Sequence, residues 1–96
     1  MAERWLLVAV STAGASSTLR VHVWRKLREL GGLYLQQQVC VLPDRPETGR
    51  AVVRLLDRVA HEGGESTLLH MSVSESEDRW LIKQFNAERR DEYTEL

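Results

Sequence analysis

The sequence contains little of what several protein classes require. Cys40 is its single cysteine, so an intramolecular disulfide is impossible, and a disulfide scaffold or a cysteine-rich zinc site is excluded. The longest unbroken apolar run, Trp5 to Val10, is far shorter than the roughly 20 residues that cross a bilayer. The chain starts with mixed charge instead of the basic start of a secretory signal. We therefore expect a cytoplasmic domain without a membrane span.

The overall charge is also nearly absent. Thirteen lysines and arginines face fourteen acids, so the formal net charge is −1. A general basic field that would attract nucleic acid is therefore lacking, and any such binding must come from local patches. Hydrophobic residues make up 43% and charged residues 28% of the 96 residues, which is typical of globular proteins. We expect residues 1–96 to form one small folded domain.

The first half of the chain predicts a strand followed by a helix. The apolar run that opens the sequence suits a strand covered on both faces or buried at the centre of a sheet. Ser16, Ser17 and Thr18 then offer N-caps, and Gly31-Gly32 supplies a stop. Between them, apolar residues recur at helical spacing: Leu19, Val23, Leu27 and Leu30.

The second half predicts further strands and helices. Gln36-Gln37-Gln38 lies between strand-forming residues, so residues 33–42 are either one kinked strand or a tight hairpin. Asp44 to Glu47 resembles a capping box, and Gly63-Gly64 ends the helix that follows. The predicted buried stripe of that helix is Val52, Val53, Leu56, Val59 and Ala60. A strand over residues 66–74 and a last helix from Ser76 complete the chain.

This order of elements predicts an α+β fold, a sheet with helices packed on one face. If the glutamine segment is a hairpin, the pattern is the ferredoxin-like βαββαβ sandwich with an extra C-terminal helix. That fold hosts many functions and selects none of them.

Residues for catalysis or metal binding show no recognisable pattern. The three histidines, His22, His61 and His70, lie on different predicted elements and lack the spacing of a helical metal motif. Acidic residues cluster near helix ends, where a negative charge is stabilising without any catalytic role. We predict no catalytic residue, no metal site and no cofactor. A binding or regulatory role is favoured over catalysis.

A first set of basic residues lies on the first helix. Arg20, Arg25 and Arg28 fall within about 140° of one another, on the side away from the apolar stripe. Arginine suits bidentate recognition of oxyanions, so this face is a candidate contact for an anion or a nucleic-acid backbone. The alternative is a face that is merely solvated.

A second set lies on the second helix. Arg50, Arg54 and Arg58 follow each other at four-residue intervals, so neighbouring like charges repel by a few tenths of a kcal/mol. The same two interpretations apply to this face, an anion contact or solvated charge.

Several segments together resemble a known family. The best of them, Arg-x-x-x-Trp-Arg-x-Leu-x-x-Leu-Gly, starts at Arg20 and ends at Gly31. The others are Trp5 to Val8, Val39 to Asp44, Phe85, Arg89 or Arg90, and Glu92 to Leu96. In this order they resemble the N-terminal domain of ChrB, the chromate-resistance regulatory protein. Gln36-Gln37-Gln38 departs from the family, which usually has a glycine before the Val-x-x-Leu-Pro strand.

The resemblance implies a regulatory module of a chromate-responsive transcription system, with DNA or chromate as possible ligands. In the family a second, C-terminal domain follows, so the chain is either a fragment or a stand-alone relative. The domain is also distantly similar to the Cas2-like module of CRISPR Cas2 nucleases and PaaX-type repressors, which implies a homodimer. Cas2 nucleases have an aspartate after the first strand, where this chain has Val10-Ser11-Thr12-Ala13. A degenerate nuclease and a protein-interaction domain are therefore the alternatives.

Overall fold

The computed structural model describes the backbone of residues 3–94 and the side chains of residues 4–88. The elements are β1 (Glu3–Ser11), α1 (Ser17–Glu29), β2 (Leu33–Gln36), β3 (Val39–Pro43), α2 (Pro46–His61), β4 (Glu65–Val73) and α3 (Glu75–Thr94). The predicted α+β class is confirmed. None of the helices in the described residues has the length and apolar character needed to span a membrane.

The four strands form one antiparallel sheet in the order β2-β3-β1-β4. The glutamine segment is a hairpin turn, since β2 ends at Gln36 and β3 begins at Val39. The N–H of Val10 on β1 donates a 3.1 Å hydrogen bond to the carbonyl of Gln38, which ties this turn to the central strand. The order and directions of the strands are consistent with a ferredoxin-like fold.

The helix ends follow most of the predicted signals. The Oγ of Ser16 accepts a 3.2 Å hydrogen bond from the N–H of Leu19 and caps α1. Gly31 ends α1 with a φ of +92°, a conformation that glycine adopts without strain. The capping box predicted for α2 is wrong, because Arg45 is the N-cap and makes no side-chain cap hydrogen bond. Asp44 instead lies with Oδ2 3.2 Å from Nδ1 of His70 on β4.

The buried face of α2 is rotated relative to the predicted stripe. Its buried residues are Val52, Leu55 and Val59, whereas Val53 is 48% exposed. The rotation places Leu55 against the sheet and leaves Val53 to solvent. Apolar residues at positions 52, 53, 55 and 56 fit two overlapping stripes, and contact with the sheet selects one of them.

Helices α1 and α2 cover the first face of the sheet. The core between the sheet and these two helices, which we call the first core, contains Leu6 and Val8 of β1, Cys40 and Leu42 of β3, and the buried residues of both helices. Successive residues of a strand point to opposite faces, so these even-numbered residues share one side.

Helix α3 covers part of the second face. Leu81 of α3 forms a second core with Trp5, Leu33, Val41 and Val73, which belong to the opposite face of the strands. The prediction that the helices pack on one face is therefore correct for α1 and α2 and wrong for α3. The apolar run in β1 has the composition of a strand covered on both faces because α3 supplies the second cover.

Candidate anion-binding groove

An open groove runs between α1 and the turn that joins β2 to β3, with a volume of about 410 Å³. We call it the α1 groove. It is lined by Val10, Thr12, Arg20, Val21, Val23, Trp24, Arg25, Leu27, Tyr34, Gln37 and Gln38.

Arg20 and Arg25 supply the charge of the α1 groove. Both line it, and both are exposed. The lining residues include no carboxylate, and within residues 4–88 neither arginine has an ion-pair partner. Although their positions on α1 are about 140° apart, both side chains line the same groove as Gln37 and Gln38 of the turn. The groove is therefore suited to an anion.

Arg28 lies in a neighbouring position and is already engaged. Its guanidinium forms an ion pair with Glu88 of α3 and lies 5.1 Å from the ring centroid of Trp24. Arg28 lines a second cavity, of about 280 Å³, which shares Trp24 and Arg25 with the α1 groove. Arg28 thus holds α3 and Trp24 in place and is not among the groove residues.

The arginines of α2 lie apart from the α1 groove. Arg50 and Arg54 are exposed and do not line it. Arg58 binds Glu62 with a 2.7 Å Nε to Oε2 distance and lies with Nη1 3.1 Å from Nε2 of His22 on α1. Since an arginine always carries its protons, His22 accepts this hydrogen bond. The six predicted arginines therefore form two surfaces, and Arg58 and His22 connect the helices that carry them.

Four further groove residues were not predicted as functional. Trp24 is 47% exposed, unusual for so large an aromatic side chain, and Gln37 and Gln38 of the turn line the same groove. Burial, with a smaller effect of Cys40, raises the pKa of Tyr34 to about 12, so its phenol stays protonated at neutral pH. The sequence contains one signal for this part of the groove: Trp24 follows Arg20 by four residues and therefore lies on the same side of the helix.

Cys40 lies in the first core and is fully buried. Burial, together with the charge of Glu88, raises the pKa of its thiol to about 12, so the reactive thiolate is disfavoured. In the part of the chain that the structure describes, histidine, cysteine, aspartate and glutamate do not gather in groups of three that could hold a metal ion.

Comparison with known proteins gives one family. The family model described as "Protein ChrB, N-terminal" matches residues 20–96. "Protein ChrB" of Cupriavidus metallidurans is 28% identical over 91 residues, which cover 95% of this chain and 28% of that protein. The chain thus spans less than a third of the length of this curated relative. No solved structure matches the chain significantly. Of the segments that resemble the family, the side chains of Arg89, Arg90 and residues 92–96 lie outside the described residues.

Proposed function

Because the chain belongs to the family of the ChrB N-terminal domain, we propose that it is a regulatory binding module of a chromate-responsive transcription system. A role in chromate resistance is consistent with this family. The arginines of the α1 groove are suited to binding, and we assign the domain a binding role and no catalytic step.

The observation that carries the proposal is the pairing of Arg20 and Arg25 in one groove that has no carboxylate among its lining residues. Guanidinium groups recognise tetrahedral oxyanions through paired N–H donors. A DNA phosphate and chromate both present oxygen atoms of this kind. The α1 groove is thus the proposed contact, and Arg28, already bound to Glu88, supports it from the neighbouring cavity.

Binding measurements test this proposal. The full chain is titrated with duplex DNA carrying the promoter of a chromate-resistance operon, with an unrelated duplex, and with chromate, the first two by fluorescence anisotropy and the third by calorimetry. If DNA is the ligand, affinity falls steeply with salt, and the Arg20→Gln/Arg25→Gln variant has a salt slope smaller by about 1 per lost phosphate contact.

The Arg50→Gln/Arg54→Gln variant is the matched control, because it removes the same charge from α2, outside the groove. Equal losses in both variants would show a nonspecific charge effect and contradict a site in the groove. Absence of binding to both duplexes and to chromate would overturn the proposed function.

The strand order and the exposed apolar residues support a finer view of the fold and of the assembly. We infer a ferredoxin-like sandwich in which α3 is added after the fourth strand, since the βαββαβ connectivity and the strand order follow that pattern.

We also propose a homodimer. The exposed Leu69 on the second face of the sheet, next to Leu7 in the register of β1 and β4, supports an interface there. Light scattering over a range of concentrations tests the dimer.

A further inference from the structure

The lining of the α1 groove is more apolar than a bare inorganic anion requires. Beside its two arginines, the 48% exposed Val21 contributes an apolar wall, and the lining also includes Val23 and Leu27, which are almost fully buried. Its volume of about 410 Å³ lies in the range of about 300–1,000 Å³ that small-molecule sites occupy. A strongly hydrated tetraoxyanion would leave most of this space unfilled and would gain nothing from apolar walls. The groove fits a ligand that combines an anionic group with a larger flat or apolar body.

Trp24 is placed to contact such a body. The indole is 47% exposed and borders both the α1 groove and the cavity that contains Arg28. The guanidinium of Arg28 lies 5.1 Å from the ring centroid, and the ion pair with Glu88 holds that guanidinium. An indole fixed in this way loses little conformational entropy when a second ring packs against it.

The position of the charge relative to the indole fits one class of ligand. Arg20 and Trp24 are one helical turn apart, about 6 Å along the axis of α1. This spacing matches the separation of phosphate and base in a nucleotide. Across the groove, Gln37 and Gln38 can donate to and accept from the edge of a base, and the protonated phenol of Tyr34 adds a donor.

We propose that the α1 groove binds a nucleotide unit, with the base against Trp24 and the phosphate at Arg20. This inference rests on the proposed function, because it assigns a ligand class to the same groove. A free nucleotide and a nucleotide within a single strand share this chemistry. Stacking of a base on an aromatic residue is tolerant of sequence, so a single strand of any composition would fit the groove.

The test compares ligands that contain or lack the base. Calorimetric titrations of the full chain use adenosine monophosphate, ribose 5-phosphate, inorganic phosphate, chromate and a short oligothymidylate. We expect adenosine monophosphate to bind at least about tenfold more tightly than ribose 5-phosphate and inorganic phosphate, because the stacking interaction is lost without the base. Stronger binding of the oligothymidylate than of the free nucleotide identifies a single strand as the source of the nucleotide.

Variants then locate the site. Trp24→Ala should weaken nucleotide binding by about tenfold or more, and Trp24→Phe, which keeps a ring, should weaken it less. Trp80→Ala is the matched control, since Trp80 on α3 is 52% exposed and does not line the groove. Circular dichroism confirms that each variant is folded. Arg20→Gln should weaken binding of the nucleotide and leave its dependence on the base unchanged.

The outcomes separate this inference from the proposed function. Equal binding of phosphate, chromate and nucleotide, with no effect of Trp24→Ala, overturns the nucleotide site and leaves the oxyanion proposal standing. Binding of duplex DNA without binding of nucleotides or single strands likewise overturns the nucleotide site and leaves the oxyanion proposal standing. Absence of binding to every ligand, duplex DNA included, overturns both.

Discussion

The indole Nε1 of Trp5 in β1 donates a 2.8 Å hydrogen bond to Oδ1 of Asp78 in the first turn of α3. Trp5 is 5% exposed, and its ring packs in the second core with Leu81 of the same helix. The hydrogen bond satisfies the one polar group of a buried indole and fixes the beginning of α3 over the sheet. The position of α3 therefore depends on a polar contact as well as on apolar packing.

Replacing Asp78 tests this contact. Asp78→Ala leaves the buried indole N–H without its acceptor and should lower the free energy of unfolding by about 1–3 kcal/mol. Asp78→Asn loses the same negative charge at the helix start but keeps an acceptor oxygen, so it should cost less. Urea unfolding followed by tryptophan fluorescence measures both values. Equal and small losses in the two variants would show that the hydrogen bond contributes nothing to stability.

Much of the secondary structure could be predicted from local signals. Ser16 and the glycines after α1 mark the ends of that helix, because capping depends only on residues within a few positions. Local sequence could not decide between a kinked strand and a hairpin at Gln36-Gln37-Gln38, because the choice depends on the pairing of β3 with both β2 and β1. The side of the sheet that α3 covers depends on Trp5 and Asp78, which are 73 positions apart.

The candidate site was predictable only in part. Periodicity places Arg20, Arg25 and Arg28 on one side of α1, whereas in the structure Arg20 and Arg25 line the α1 groove and Arg28 lines the neighbouring cavity. Their different environments come from residues distant in sequence. Glu88 engages Arg28 across 60 positions, while the glutamine turn forms the other wall of the groove beside Arg20 and Arg25. A helical projection contains neither contact, so it cannot separate the three arginines.

The ion pair between Arg28 and Glu88 should stabilise the fold modestly. Both side chains are partly buried, at 25% and 29% exposure. A double-mutant cycle with Arg28→Ala and Glu88→Ala should give a coupling energy of about 1 kcal/mol, which decreases as salt is added. Lys26 and Glu29, a 3.9 Å pair that is 45% and 68% exposed, form the control cycle and should give a coupling near zero. Equal coupling in the two cycles would contradict a specific role for Arg28 and Glu88 in holding α3.

Alkaline pH should destabilise the protein through Cys40 and Tyr34. Burial raises the pKa of Cys40 from 9.0, and that of Tyr34 from 10.0, to about 12 in each case. The unfolded chain releases these protons at lower pH than the folded protein does. The stability that the two neutral groups contribute is therefore fully present below pH 9.0 and is lost as the pH rises towards about 12.

Urea unfolding at a series of pH values measures this loss. Cys40→Ala should reduce the decline that begins near pH 9.0, and Tyr34→Phe should reduce the decline that begins near pH 10.0. Ultraviolet absorbance of the thiolate gives an independent titration of Cys40 in the folded protein. If Cys40→Ala has the same pH dependence as the unchanged protein, or if the thiolate forms in the folded state near pH 9.0, the assigned pKa of Cys40 is wrong.

Two glycines should respond in opposite directions to the same substitution. A Cβ at Gly32 would lie 2.5 Å from Sγ of Cys40 and 2.6 Å from the carbonyl oxygen of Leu27, so Gly32→Ala forces α1 and β3 apart. Overpacking of this kind costs about 1–3 kcal/mol, and the thermal midpoint should fall. At Gly49, inside α2, the space that a Cβ would take is open to a distance of 4 Å, so Gly49→Ala should stabilise the helix by up to about 1 kcal/mol. Scanning calorimetry measures both midpoints. A tolerated Gly32→Ala would contradict the close approach of the α1 terminus to Cys40, because neither the backbone carbonyl nor the buried thiol can move without disturbing the first core.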